Sequence, residues 1–214
     1  MPRPATTTSF QRFALPLAAL AAVLMPAGAI VIRAGRVATP PDPPARPIEN
    51  GPRISYPPGH YPVLTLPDGT RRAVKSLLNV QRSLRFGDYA WNDRDVPAGP
   101  AWVRIDLARQ LLSVFRDGHE IGSSVILYGT DGKPTPSGVF PIIEKRVQHR
   151  SSLYDAEMPY MLRLTPDGVA IHASHVRAGS ATHGCIGVPP GFAPLLFAAV
   201  RRGDPVAILP PPRS

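Results

Sequence analysis

Cys185 is the only cysteine in this 214-residue chain, and three of its six histidines, His172, His175 and His183, lie within thirteen residues before it. A cysteine attacks as its thiolate, and a nearby imidazole is the group that takes the proton near neutral pH. His172 follows the apolar run Val169-Ala170-Ile171 and so ends a predicted strand. The chain between His172 and Cys185 is long enough for a loop to return and set ring beside sulfur. Acyl transfer also needs a group that holds the base and donors for the oxyanion. No Asp or Glu lies closer to His172 in sequence than Asp167, so a backbone carbonyl near Ala173 is the expected holder. His183, two residues before Cys185, faces the same way as the sulfur if the segment is extended, and is a candidate second acid/base. Gly184 permits a tight turn, and the N–H groups of Gly184 and Cys185 are the expected oxyanion donors. Cysteine-nucleophile acyl transfer, with His172 as base, is the chemistry these types and spacings suit.

Other readings use the same residues. A lone cysteine is commonly an inert buried thiol, but here it is clustered with histidines in a chain poor in both. His172-x-x-His175 with His183-x-Cys185 offers nitrogen and sulfur ligands to zinc. That spacing is not one of the usual structural zinc patterns, and no carboxylate beside it activates a water. Zinc is therefore the lesser reading.

Hydrophobic residues make up 43% of the chain, enough for one main core, while 28 prolines indicate extended segments outside it. The net charge of +9 predicts attraction to an anionic partner such as a wall polymer or an acidic membrane surface. No Lys/Arg run is interleaved with aromatics and no base-reading motif is present, so no nucleic-acid partner is expected. A single cysteine excludes an internal disulfide framework. Oligomeric state stays open.

In chain order, residues 1–32 combine a basic start (Arg3, Arg12) with an apolar run from Phe13 to Ile32. Ala27-Gly28-Ala29 has the form of a signal peptidase site, and Pro16 and Pro26 favour a cleaved signal peptide. An uncleaved anchor with N-terminal membrane contact is the alternative, because Ile30-Val31-Ile32 prolongs the run. Either way export is expected. Residues 33–67 are proline-dense and read as a linker. Residues 68–100 read as a short helix, with Val74, Leu77 and Leu78 at helical spacing in Arg71–Leu84, followed by a loop carrying Trp91. Residues 101–210 form the main domain. Strands are predicted at 102–106, 111–115, 121–128, 140–147, 160–164, 169–171 and 206–209, with Asp117-Gly118 as a hairpin turn. One helix is predicted, with Phe192, Leu195, Leu196, Ala199 and Val200 on one face, Pro194 in its first turn and Arg201-Arg202 at its end. The fold class is mainly β, a sandwich or barrel with a C-terminal helix.

The segments Ile171-His172 and Thr182-His183-Gly184-Cys185-Ile186 resemble the signature of the L,D-transpeptidase catalytic domain family, also called YkuD. Leu111 to Gly118 is similar to its early hairpin, Thr135-Pro136-Ser137-Gly138-Val139-Phe140 to its Thr-Pro-x-Gly-x-Phe stretch, and Met158-Pro159-Tyr160 to its cleft-lining segment. The resemblance spans Ala101 to Leu209. It implies a β domain that forms an acyl-enzyme on a peptidoglycan stem tetrapeptide and passes it to an amine or to water, with no metal and no cofactor. Cys185 would attack the carbonyl between the third residue, typically meso-diaminopimelate, and the terminal D-alanine. His172 would be the base and His183 the motif histidine, and Tyr160, Thr182, Gly184, Ile186 and Ala173 would contact substrate. Two departures stand out: Gly187 takes a position usually held by Arg or Asn, and the loop from His172 to Thr182 is short. His175 and Arg177 in that loop are candidates to compensate. The implied enzyme serves cell-wall biogenesis and cell shape from the periplasm. A degenerate wall-binding module and a zinc-dependent hydrolase remain the alternatives.

Overall fold

The computed structural model describes residues 48–129, 132–151 and 155–210, so the candidate signal or anchor segment and the first part of the linker lie outside the described residues. Short strands open the described chain: β1 (Ile48–Asn50), β2 (Arg53–Ser55), β3 (Val63–Thr65), β4 (Arg71–Ala73), β5 (Ser76–Leu78) and β6 (Tyr89–Trp91). The longest strands follow: β7 (Ala101–Asp106), β8 (Leu111–Arg116) and β9 (His119–Val125). Asp117-Gly118 makes the tight turn between β8 and β9, both residues at positive φ (50° and 79°). Then come β10 (Gly138–Pro141), β11 (Glu144–Arg146), β12 (Met161–Arg163), β13 (Ala170–Ala173), β14 (Ile186–Val188), α1 (Ala193–Ala199) and β15 (Pro205–Leu209).

Three sheets result. The largest runs β1-β2-β5-β9-β8-β7-β15-β10, with β6 also paired to β9. A second sheet runs β11-β12-β13-β14, and β3 and β4 form a separate hairpin. Alternation along β7, β8 and β15 sends Val103, Ile105, Leu112, Val114, Val206 and Ile208 to one face. There they meet Leu162, Ile171, Ile186 and Val188 of the second sheet, with Phe192 and Leu196 beside them. The opposite face carries Trp102, Phe115 and Ala207, and is covered by Leu66 and Val74 from the β3–β4 hairpin. Trp102 and Phe115 are cross-strand partners and stack at 4.4 Å. The mainly β fold with a helix near the C-terminus is thus a sheet-on-sheet sandwich.

The segments read as a linker and a helix are strands instead. Within the stretch assigned to a linker, β2 and β3 form, and β2 pairs with β5 of the large sheet. No helix forms over Arg71–Leu84. Its buried positions are Val74, Ser76 and Leu78, a period of two, and the Leu78 N–H is taken by the Glu120 carboxylate at 2.9 Å. The apolar residues that suggested a helical stripe are claimed by neighbouring strands. The segment before residue 101, expected to pack on the main domain, joins its large sheet, since β5 and β6 both pair with β9. The predicted strand 140–147 is two strands in different sheets, β10 on β15 and β11 on β12.

The helix is where its pattern placed it, with Pro194 in its first turn. Its C-terminus is closed by Lys145 of β11, whose ammonium donates to the carbonyls of Phe197 (2.6 Å) and Val200. Arg201 and Arg202 lie beyond the helix, and its last turn holds no basic residue. A tertiary cation thus satisfies the carbonyl groups that a helix end leaves open.

Candidate active site

The second sheet builds the site floor through its register. Glu144 opposes Arg163, Arg163 opposes Ala170, and His172 opposes Gly187. Extending those registers by one step sets Cys185, which directly precedes β14, beside Ala170, and Met161 beside His172. Partnered side chains share a face, and successive ones alternate. One face therefore carries two transverse rows, Glu144–Arg163–Ala170–Cys185 and Arg146–Met161–His172–Gly187. The other face carries Leu162, Ile171 and Ile186, all buried in the core. Nucleophile and base candidates stand on one face of adjacent parallel strands, one row apart.

Cys185 is set by the turn before β14. Gly184 has φ +101°, a conformation costly for other residues. The Thr182 N–H donates to the Tyr128 carbonyl at 3.1 Å, and the Thr182 hydroxyl donates to the Cys185 carbonyl. The buried Thr135 hydroxyl accepts from the Gly129 N–H (2.9 Å) and donates to the Gly184 carbonyl (3.0 Å). A peptide is planar and trans, so this bond points the Cys185 N–H, on its opposite edge, away from Thr135.

The His172 Nδ1 lies 2.8 Å from the Ala173 carbonyl oxygen. A carbonyl only accepts, so Nδ1 carries the proton and Nε2 keeps its lone pair as a proton acceptor. Burial pushes the His172 pKa down, with the Ala173 hydrogen bond opposing and His149 adding to the fall. Burial also pushes the Cys185 thiol up; the Ala170 main chain and the Lys133 charge pull it down, and Asp167 raises it. The thiol itself donates to the Gly168 carbonyl at 3.7 Å. Burial thus disfavours the charged form of both groups, thiolate and imidazolium alike.

Both residues line a cavity of about 360 Å³, together with Thr182, His183 and Gly184. Asp167 is the single acid among the described lining residues, and Lys133, His149 and Arg163 also line it. Three of the expected contact residues do not. Tyr160 has φ +55° and turns its ring onto Phe197, edge to face at 5.7 Å. Ile186 is fully buried on the core face. Ala173 packs against the core and contributes its carbonyl to His172. His175 and Arg177 are exposed and do not line the cavity, so neither compensates within it for the short loop. Among the described residues no three or more His, Cys, Asp or Glu side chains are gathered as metal ligands. Lys133, His149 and Arg163 belong to no sequence motif, whereas Thr135 opens the Thr-Pro-x-Gly stretch.

Gly187 has a packing reason. A Cβ there would lie 2.9 Å from the Ser174 Cβ and 3.4 Å from the Leu127 Cβ. The space a side chain would need at this position belongs to Ser174.

The sequence pattern of the L,D-transpeptidase catalytic domain (YkuD) matches residues 100–208, just over half of the chain. Among solved structures, the L,D-transpeptidase from Stackebrandtia nassauensis is 25% identical over 54% of this chain and 58% of that one, with a TM-score of 0.50. Mycobacterium tuberculosis L,D-transpeptidase 1 is 24% identical over 52% of this chain and 62% of that one, with a TM-score of 0.47. The Enterococcus faecium L,D-transpeptidase is 26% identical over 52% of this chain and 50% of that one, with a TM-score of 0.46. The matched region spans about half to three-fifths of the length of these structures. No curated protein matches the chain.

Proposed function

Because this chain belongs to the L,D-transpeptidase catalytic domain family, we propose that it is a cysteine L,D-transpeptidase acting on peptidoglycan stem tetrapeptides. The observation that carries the reading is that Cys185 and a His172 whose Nδ1–H is fixed on Ala173 line one cavity from the same face of adjacent strands. As the substrate carbonyl arrives, the Cys185 proton passes to His172 Nε2 and the sulfur bonds to carbon. The oxyanion takes hydrogen bonds from N–H groups of the Gly184–Cys185 turn. The imidazolium returns the proton to the departing D-alanine amine, leaving a thioester. An acceptor amine, or water, then attacks, loses its proton to His172 and displaces the thiolate, which is reprotonated. In this reading His183, exposed at the cavity, is the second acid/base.

The net charge of +9 suits an anionic wall polymer. The basic and apolar start of the chain supports export to the periplasm, where that polymer is. The test is incubation of the full chain with a stem tetrapeptide, followed by intact-protein mass spectrometry. Loss of D-alanine with a peptide thioester on Cys185, absent in Cys185→Ala, supports the reading. D-alanine release that survives Cys185→Ala overturns it.

A further inference from the structure

The row that holds the sulfur ends in a charge. From Cys185 it crosses Ala170, whose methyl leaves the floor low, and reaches Arg163 two strands away. Strands lie about 4.8 Å apart, so Arg163 and Cys185 are roughly 9–10 Å apart along the cavity floor. Arg163 lines the cavity with its side chain one-third exposed. Its only ion-pair partner among the described residues is Glu144, which meets Nε at 3.3 Å. Glu144 is held more closely by Arg146, so the Arg163 terminal nitrogens keep their donors for another acceptor. A guanidinium fork with unused terminal N–H groups, in a cavity whose single acid among the described lining residues is Asp167, is built for a carboxylate.

We infer that Arg163 is a specificity-determining residue that binds a free carboxylate of the acyl donor, on the acyl side of the scissile bond, about two strand spacings from the sulfur. This rests on the transpeptidase reading for the identity of the donor. It names the donor as one whose third residue bears an ionised side-chain carboxylate, and it disfavours donors in which that group is an amide. Asp167 and Lys133 lie at the sulfur end, where their charges act on Cys185, so neither duplicates the role.

The test uses two tetrapeptides, one with meso-diaminopimelate third and one with its side-chain carboxylate converted to carboxamide. Binding to full-length Cys185→Ala protein is measured by calorimetry. The acid is expected to bind about 10- to 100-fold more tightly than the amide, the usual worth of a charge-assisted hydrogen bond. Adding Arg163→Gln should remove that ratio, and Arg163→Lys should keep part of it. Because the ratio is taken within each variant, a general loss of stability cancels. An unchanged ratio in Arg163→Gln, no preference in the parent, or no binding of either peptide overturns the inference. Turnover by the unsubstituted chain judges the transpeptidase reading separately. Arg163-dependent discrimination without thioester formation keeps the inference and fails that reading. Thioester formation at equal rates from both peptides does the reverse.

Discussion

Ser174 occupies the space that a side chain at Gly187 would fill, with only 2.9 Å between its Cβ and the position a Gly187 Cβ would take. Gly187 pairs with His172 across the strands, so any push there reaches that imidazole. Gly187→Ala is expected to cost about 1–3 kcal/mol by overpacking. Combining it with Ser174→Gly should recover at least half of that loss, because the two residues are in contact. Denaturant unfolding of the single and double variants measures it; additive costs would show that Ser174 is not what excludes a side chain.

Burial of His172 and Cys185 predicts a particular pH behaviour. Burial lowers the His172 pKa, so acylation should hold its rate as pH falls through 6.5, the ordinary imidazole value, and decline only at lower pH. Burial raises the Cys185 thiol, so alkylation by iodoacetamide without substrate should rise only above the ordinary thiol range. A preformed ion pair would instead show fast alkylation at acidic pH. His172→Ala should slow acylation by about 10²–10⁴-fold, the scale of a positioned general base. A larger loss from His183→Ala would mean that the two histidines exchange roles.

Thr135 is a positioning residue for the nucleophile turn. Thr135→Val leaves the Gly129 N–H and the Gly184 carbonyl without their partner. The expected cost is about 1–3 kcal/mol of stability. The acylation rate constant should drop, with little change in substrate KM, as the Gly184–Cys185 peptide loses its fixed plane. Thr135→Ser keeps the hydroxyl and should restore most of both. A Thr135→Ser protein as slow as Thr135→Val would locate the effect in packing of the methyl group.

Glu120 is a buried acid that works against folding as it ionises. Burial raises its pKa, against the opposing hydrogen bonds from Ser113 and Leu78 and the charge of Arg53. The folded state therefore holds the proton more tightly than the unfolded chain does. Stability from this group is present below the unfolded value near 4.5 and is lost as pH rises through the folded value. Glu120→Gln keeps an acceptor for the Leu78 N–H and should flatten the fall in stability above pH 4.5. Thermal unfolding across that range tests it, and a steeper fall in the variant would show that the Arg53–Glu120 attraction outweighs burial.

Cys185, His172, His183, Thr182 and Gly184 were legible because their chemistry is written in residue type and short spacing. The strands from Ala101 to Val125 were legible too, since alternation and an Asp-Gly turn are local signals that the long hairpin preserves. The short strands before them were not. A three-residue strand is too brief to show a period, and β2, β5 and β6 become strands only because distant partners take their N–H and C=O groups. Arg163 belongs to no motif and carried no sequence signal. It shares the cavity floor with Cys185 only through the pairing of β12, β13 and β14.

Tertiary structure alone decided three further things. Burial lowers the His172 pKa and raises that of Cys185, because removing both groups from water disfavours their charged forms. A left-handed backbone at Tyr160 turned an expected cleft residue onto Phe197. Packing of Ser174 against Gly187 left no room for a side chain beside His172. Each depends on which atoms are neighbours in space, and residue order specifies that only after the sheets have paired.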